Sequence, residues 1–144
     1  MKKIVLFFIA LFLVSASTYA DENQVTEFKS EDFAIQMQYC IGNSAAQVVK
    51  LQFLLTHQLS NQNVIVKGVN AYDEEGNSYN FYVNNGSGYW GDRFYIPNNQ
   101  PRKIKMQVDA ILSKVTVFSS LVFTVSTSNG TTEVTLRNVP ITWK

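Results

Sequence analysis

The sequence predicts an all-β fold, an immunoglobulin-like antiparallel sandwich of seven to nine strands, from three observations. Apolar and polar residues alternate with a period of two through most of the chain after residue 32. Turn residues interrupt this alternation about every ten residues, and no segment shows a capped apolar period of 3.6 residues. Short strands at this spacing are typical of a Greek-key sandwich, and a small β-barrel is the alternative.

The N-terminal residues 1–20 have the order of a secretory signal peptide. Two lysines precede an apolar run over residues 4–14, and small residues then lead to Ala20 and an acidic Asp21. The run is shorter than the about 20 residues that cross a bilayer. We therefore expect cleavage after Ala20, no transmembrane segment, and a periplasmic or secreted protein. The single cysteine, Cys40, lies well beyond that point, so neither a lipid anchor nor an internal disulfide is expected.

The charge balance gives no reason to expect a polyanionic partner. Removing residues 1–20 leaves 12 − 2 = 10 basic against 11 acidic residues, a net charge of −1. Nucleic-acid binders carry a marked basic excess, so no nucleic-acid partner is expected. The remaining residues suffice for one domain with its own core. We place a flexible tail at 21–31 and the sandwich at 32–144.

Four strands are predicted in the first half of the domain. The first strand alternates from Phe33 to Ile41, with Cys40 on the polar side of the pattern. The second presents one apolar face from Val49 to Leu55, and the third and fourth span 64–72 and 78–83. The stretch 73–77, D-E-E-G-N, joins the last two as a hairpin turn in which the glycine supplies a positive φ.

Four further strands complete the predicted sandwich. They span 93–96, 103–110, 115–126 and 133–143, with a Gly/Asn loop at 84–92 before the first and a Pro-containing loop at 97–101 after it. Ala110 continues the apolar side of the second. The side chains expected to face the core are Phe33, Ile35, Leu51, Phe53, Val66, Ile104, Met106, Val108, Leu121 and Phe123.

Residues that could support catalysis or metal binding are scarce. The single histidine, His57, is expected to be a polar residue at a strand end, since zinc sites need three or four ligands. Glu74 and Glu75 are adjacent, so on extended backbone they point to opposite faces and cannot flank a glycosidic bond. The D-E-E-G-N turn lacks the ligand spacing of a calcium loop. We expect no enzyme activity, no metal and no cofactor.

The segment 80–95 is the candidate recognition site. It places six aromatic residues around a loop of Gly, Asn and Ser, N-F-Y-V-N-N-G-S-G-Y-W-G-D-R-F-Y. Tyrosine and tryptophan on loops are used at interfaces and in sugar-stacking sites, because they offer large contact area with little rotamer entropy. The alternative is that the aromatic residues cover the sandwich as part of its core. The candidate ligand-binding residues are Tyr82, Tyr89, Trp90, Asp92 and Arg93.

From Val48 onward the chain has a hydrophobic strand, V-V-K-L-Q-F-L-L-T, a polar loop and valine-rich strand, and the D-x-x-G-N-x-Y hairpin of 73–79. A Pro turn at 96–99, an alternating strand at 103–108 and the paired apolar residues of 121–123 follow. This order of features resembles the immunoglobulin-like "immunoprotective extracellular" domains of bacterial secreted proteins and lipoproteins. The resemblance implies an exported sandwich and supplies no catalytic residues.

These observations leave three hypotheses for function. The first is a non-catalytic binding or adhesion module for a protein or a cell-envelope component. The second is a carbohydrate-binding module in which Tyr89 and Trp90 are stacking platforms. The third is an inhibitor of an extracellular enzyme that inserts the 84–92 loop into a cleft. Fold alone does not choose among them.

Overall fold

The computed structural model describes residues 24–57, 62–84, 91–97 and 100–144, and this part of the chain is built of strands with no helix. The predicted signal peptide lies outside the described residues. No described helix is long and apolar enough to cross a membrane. The ten strands are β1 (Glu27–Lys29), β2 (Phe33–Asn43), β3 (Val48–His57), β4 (Gln62–Tyr72), β5 (Ser78–Val83), β6 (Gly91–Ile96), β7 (Pro101–Val108), β8 (Val117–Thr127), β9 (Gly130–Pro140) and β10 (Thr142–Trp143).

The strands form the two sheets of an immunoglobulin-like sandwich, as predicted. One sheet has the order β2-β3-β7-β5 and the other β4-β8-β9, with neighbours antiparallel. This is the A-B-E-D and C-F-G arrangement of immunoglobulin domains, in which β6 adds to the free side of β4. We call the two layers the β3–β7 sheet and the β4–β8 sheet. Ten strands exceed the predicted seven to nine because β1 and β10 are too short to show a sequence pattern.

Strand pairing also continues around both edges of the sandwich, so the molecule is nearly a barrel. β5 pairs with β4 through 78–80 and then crosses to pair with β7 through 81–83. At the other edge β1 pairs with β2, and Val25 just before it forms a bridge to Arg137 of β9. The first half of β7 keeps a free edge among the described residues, because it pairs with β3 alone.

The core lies between the sheets and is filled by the inward residues of each strand. All ten side chains predicted to face it are at most 2 % exposed. Three phenylalanines connect the layers: the rings of Phe53 and Phe123 are 5.3 Å apart, and Phe81 meets Phe123 edge-on at 6.1 Å. The period-two pattern was a sound guide to the core because each strand buries one face only.

The predicted alternation of β2 is wrong after its midpoint. The register with β3 shifts between Met37 and Tyr39, which marks a β-bulge. A bulge adds one residue, so every later side chain changes face. Cys40 is therefore buried in the core, while Tyr39 and Ile41 point outward.

Several strand boundaries also differ from the prediction. Residues 27–29 of the expected tail form β1, β6 begins at Gly91 rather than Arg93, and the strand containing Ile104 ends at Val108. Ala110 is exposed and has a φ of 54°, so it turns the chain out of the sheet rather than continuing it. Backbone pairing decides where a strand ends, and apolar alternation does not report it.

Candidate functional site

β6 and the first half of β4 present a row of side chains on the outer surface of the β4–β8 sheet. Phe94 and Ile96 of β6 are buried, so the alternate residues Arg93 and Tyr95 point outward and are exposed. Arg93 lies opposite Ile65 in the strand register, and Tyr95 lies opposite Asn63. Tyr95 and Ile65 are thus diagonal neighbours across two strands, within reach of each other's side chains.

Arg102 of β7 holds β6 in place from the other sheet. Its Nη1 donates a hydrogen bond to the carbonyl oxygen of Tyr95 at 3.0 Å. Its guanidinium lies 5.3 Å from the centre of the Phe94 ring, a cation–π distance. β6 is therefore anchored by β4 through its ladder and by Arg102 across the edge of the sandwich.

Exposed apolar side chains are concentrated on this surface. Five large hydrophobic residues of the described part of the chain are exposed, and three of them are Ile65 at 38 %, Val69 at 37 % and Tyr95 at 51 %. Val69 lies in the β4 bulge, next to the point where the chain enters β6. We define the β4–β6 face as the outward side chains of Ile65, Lys67, Val69, Arg93 and Tyr95.

Tyr82 belongs to a hydrogen-bonded network on the outer surface of the β3–β7 sheet. Its hydroxyl donates to Asp109 Oδ1 at 3.2 Å and accepts from Gln107 Nε2 at 2.8 Å. Asn84 Nδ2 donates to Gln107 Oε1 at 2.6 Å. Burial, reinforced by the hydrogen bond to Asp109, raises the pKa of Tyr82. This network holds the tyrosine in one orientation at the start of the loop.

The structure places only part of the predicted recognition site. Tyr82 and Arg93 lie on strands of different sheets, and the backbone of Asp92 pairs with Val66. The side chain of Asp92, together with Tyr89 and Trp90, lies outside the described residues. The ligand-binding role of these five residues therefore remains a prediction.

Sequence reasoning did not single out Ile65 and Val69 as surface residues, and it included Tyr95 only as a member of the 80–95 segment. One signal was available for Ile65, because the run Val64-Ile65-Val66 breaks the apolar alternation and must expose one apolar side chain in a one-sided strand. Val69 reaches the surface through the β4 bulge, which nothing in the sequence marked except the preceding glycine.

The D-x-x-G-N-x-Y segment is a hydrogen-bonded turn organised by one carboxylate. Asp73 Oδ1 accepts from the backbone N–H groups of Glu75 and Asn77, each at 2.9 Å. Its Oδ2 accepts from Asn77 Nδ2 at 2.9 Å and from the Tyr79 hydroxyl at 2.7 Å. These bonds, led by those from the Asn77 and Tyr79 side chains, lower the pKa of Asp73 to about 2. Both oxygens are thus engaged within the turn.

The groups with catalytic or metal-binding chemistry are dispersed within the described residues. His57 is at the end of β3 as predicted, and it is fully buried. Burial raises the pKa of the Cys40 thiol to about 12. No group of three or more His, Cys, Asp or Glu side chains is placed to hold a metal ion in this part of the chain.

Comparisons with known proteins do not assign the chain to a family. No family model matches it, and no curated protein matches it. Among solved structures it is similar to the ligand-binding region of serine-glutamate repeat protein A (SgrA) of Enterococcus faecium. That similarity has a TM-score of 0.41 and 12 % identity and covers 79 % of this chain and 98 % of that one. At these values it carries no argument about ligand or function.

Proposed function

We propose that this protein is an exported, non-catalytic binding module that recognises a protein or a cell-envelope component through the β4–β6 face. The observation that carries the proposal is the concentration of exposed apolar residues there, with Tyr95 and Ile65 beside Arg93. Tyrosine and arginine are enriched at protein interfaces, and exposed apolar residues grouped on one face favour an interaction site.

Rigidity supports the same proposal. Tyr95 is presented by a strand that is paired along β4 and fixed by Arg102, so binding it costs little conformational entropy. In the sequence, the predicted contact residues Tyr89 and Trp90 directly precede β6.

The experiment compares capture by matched variants. The exported protein is immobilised and exposed to envelope extract from its native host, in parallel with Tyr95→Ser, Ile65→Ser and Trp90→Ala. Leu112→Ser is the control, since Leu112 is an equally exposed hydrophobic residue away from this face. We expect Tyr95→Ser to reduce the amount of envelope component captured at least about tenfold, because substitution of an interface anchor commonly has an effect of this size. The Leu112→Ser control should capture as much as the unmodified protein.

The outcomes separate the proposal from its alternatives. Capture retained by both Tyr95→Ser and Ile65→Ser would contradict the β4–β6 face as the recognition surface. A captured neutral glycan, lost with Trp90→Ala, would favour the carbohydrate-binding module. Inhibition of a captured enzyme would favour the inhibitor. Thermal melts of each variant show whether lost capture reflects lost folding, and a large loss of stability in Trp90→Ala would make Trp90 a core residue.

A further inference from the structure

A second surface with different chemistry lies on the outer side of the β3–β7 sheet. Ile104 and Met106 of β7 point into the core, so Lys103 and Lys105 point outward. On the adjacent strand, Lys50 points outward by the same alternation. All three are exposed, and we call them the lysine cluster.

The strand register brings the three lysines together. Lys105 lies opposite Gln52 and Gln107 lies opposite Lys50, so Lys50 and Lys105 are diagonal neighbours. Diagonal neighbours and residues two apart on one strand are each separated by about 7 Å. Like charges at this spacing repel one another, so the cluster lowers the stability of the fold. This cost favours a role for the cluster in binding rather than in folding.

The carboxylate of Asp109 lies on this surface, and the four strands themselves supply none. The strands β2, β3, β5 and β7 contain no Asp or Glu, whereas they contain the lysine cluster and Arg102. Asp109, which follows β7, accepts hydrogen bonds from Tyr82 and Gln107. The chain as a whole is nearly neutral, because acidic residues outside these strands balance its basic residues. Most of these acidic residues lie in turns and in the N-terminal segment.

Protection of a sheet edge does not account for the cluster. Lysines commonly guard free edges, and the first half of β7 is such an edge because β5 pairs only with 106–108. Lys50, however, lies on β3, which is paired with β2 on one side and β7 on the other. An interior strand has no free edge for a lysine to protect.

Amide and hydroxyl groups flank the lysine cluster in fixed positions. Gln52 Nε2 donates to Gln38 Oε1 at 2.6 Å, and the Tyr39 hydroxyl donates to Gln52 Oε1 at 3.4 Å. The network of Tyr82, Asn84 and Gln107 lies on the other side. Groups of this kind complement the hydroxyls of a sugar polymer.

The surface lacks the features of other polyanion sites. No large hydrophobic side chain of its four strands is exposed among the described residues, which removes the apolar insertion that membrane binding uses. Its two tyrosines are half-buried and hydrogen-bonded through their hydroxyls, unlike the exposed stacking platforms of single-stranded nucleic-acid sites.

We infer that the outer surface of the β3–β7 sheet binds an acidic polysaccharide, a polymer of carboxylated sugars, through Lys50, Lys103 and Lys105. The ammonium groups pair with the sugar carboxylates, and the amides of Gln38, Asn84 and Gln107, which are not buried, contact sugar hydroxyls. This site is distinct from the β4–β6 face, and the inference does not depend on the function proposed for that face.

The test measures binding of the exported protein to polygalacturonate at low ionic strength, with dextran as the uncharged polymer. The variant replaces the cluster, Lys50→Gln/Lys103→Gln/Lys105→Gln. The matched control, Lys114→Gln/Arg137→Gln/Lys144→Gln, removes the same charge from exposed basic residues elsewhere. We expect the cluster variant to bind at least about tenfold more weakly, because each lysine facing a polyanion contributes a several-fold factor. Added salt should weaken binding.

Four results would overturn the inference. They are no binding of polygalacturonate by the unmodified protein, an equal loss in the matched control, equal binding of dextran, and tighter binding of a single-stranded oligonucleotide or of anionic phospholipid vesicles. The cluster variant should melt no lower than the unmodified protein, since it relieves repulsion. Loss of polygalacturonate binding with a normal melt and normal envelope capture would support this site without reference to the β4–β6 face.

Discussion

At the scale of single residues, Asp73 makes the stability of the fold depend on pH through the β4–β5 turn. Its folded-state pKa of about 2 lies below the about 3.9 of an unfolded aspartate. A depressed pKa means that the ionised group stabilises the fold above the unfolded value, and that this stability is lost as the pH falls from about 4 to about 2. The cause is the set of four donors that face the carboxylate.

Asp73→Asn should destabilise the protein at neutral pH and flatten its acid dependence. The new amide group would face Asn77 Nδ2, which now donates to a carboxylate oxygen. Urea denaturation at neutral and acid pH measures the effect. Glu74→Gln is the control, because Glu74 is exposed in the same turn. Equal loss of stability with acid in the unmodified protein and in Asp73→Asn would contradict this role.

Cys40 should be inert to thiol reagents until the protein unfolds. The thiolate is the reactive form, and burial raises the thiol pKa to about 12 while also blocking access. The rate of modification should therefore follow the unfolded fraction as urea is added. A Cys40→Ala/Ala45→Cys variant, with the thiol on an exposed turn residue, should react at once. Fast modification of Cys40 in native buffer would show that β2 opens locally.

At the scale of the elements, Gly68 lets β5 change sheets. A Cβ atom at this position would overlap the carbonyl oxygen of Phe81, on the β5 segment that leaves β4 for β7. The β4 register shifts between Gly68 and Asn70, so the bulge and the crossing lie together. A close backbone approach is one of the reasons that strands contain glycine.

Gly68→Ala should therefore cost at least about 2 kcal/mol of the free energy of unfolding, because backbone rather than a movable side chain fills the space. Gly76→Ala is the comparison, since its space is open and its cost of about 1 kcal/mol comes from a positive φ alone. Denaturant melts give both values. A smaller loss in Gly68→Ala than in Gly76→Ala would mean that the crossing tolerates displacement.

At the scale of the whole molecule, stability depends on one core between two sheets. Phe53→Ala should cost about 3–5 kcal/mol, because the ring is fully buried and contacts Phe123 of the opposite sheet. Leu54→Ala should cost about 1 kcal/mol, since this neighbour is half-buried on the outer surface. Equilibrium urea unfolding compares the two. Similar losses would indicate that the outer surface of β3 is packed as tightly as the core.

The candidate sites show why function was harder to predict than the core. Tyr95 is unremarkable in a strand pattern, and it joins the surface of Ile65 and Val69 only because β6 pairs with the first half of β4. Lys50 and Lys105 are fifty-five residues apart and become neighbours through the pairing of β3 with β7. Strand order is a long-range property, and local patterns do not encode it.

By itself, the sequence determined the all-β class, the inward face of most strands and the glycine turns, because these depend on side-chain period and local backbone preference. Only the tertiary structure decided the bulges of β2 and β4, the sheet change of β5 and the separation of charge between turns and sheet faces. Each depends on contacts between strands distant in sequence, where one extra residue reverses a face and one pairing creates a surface.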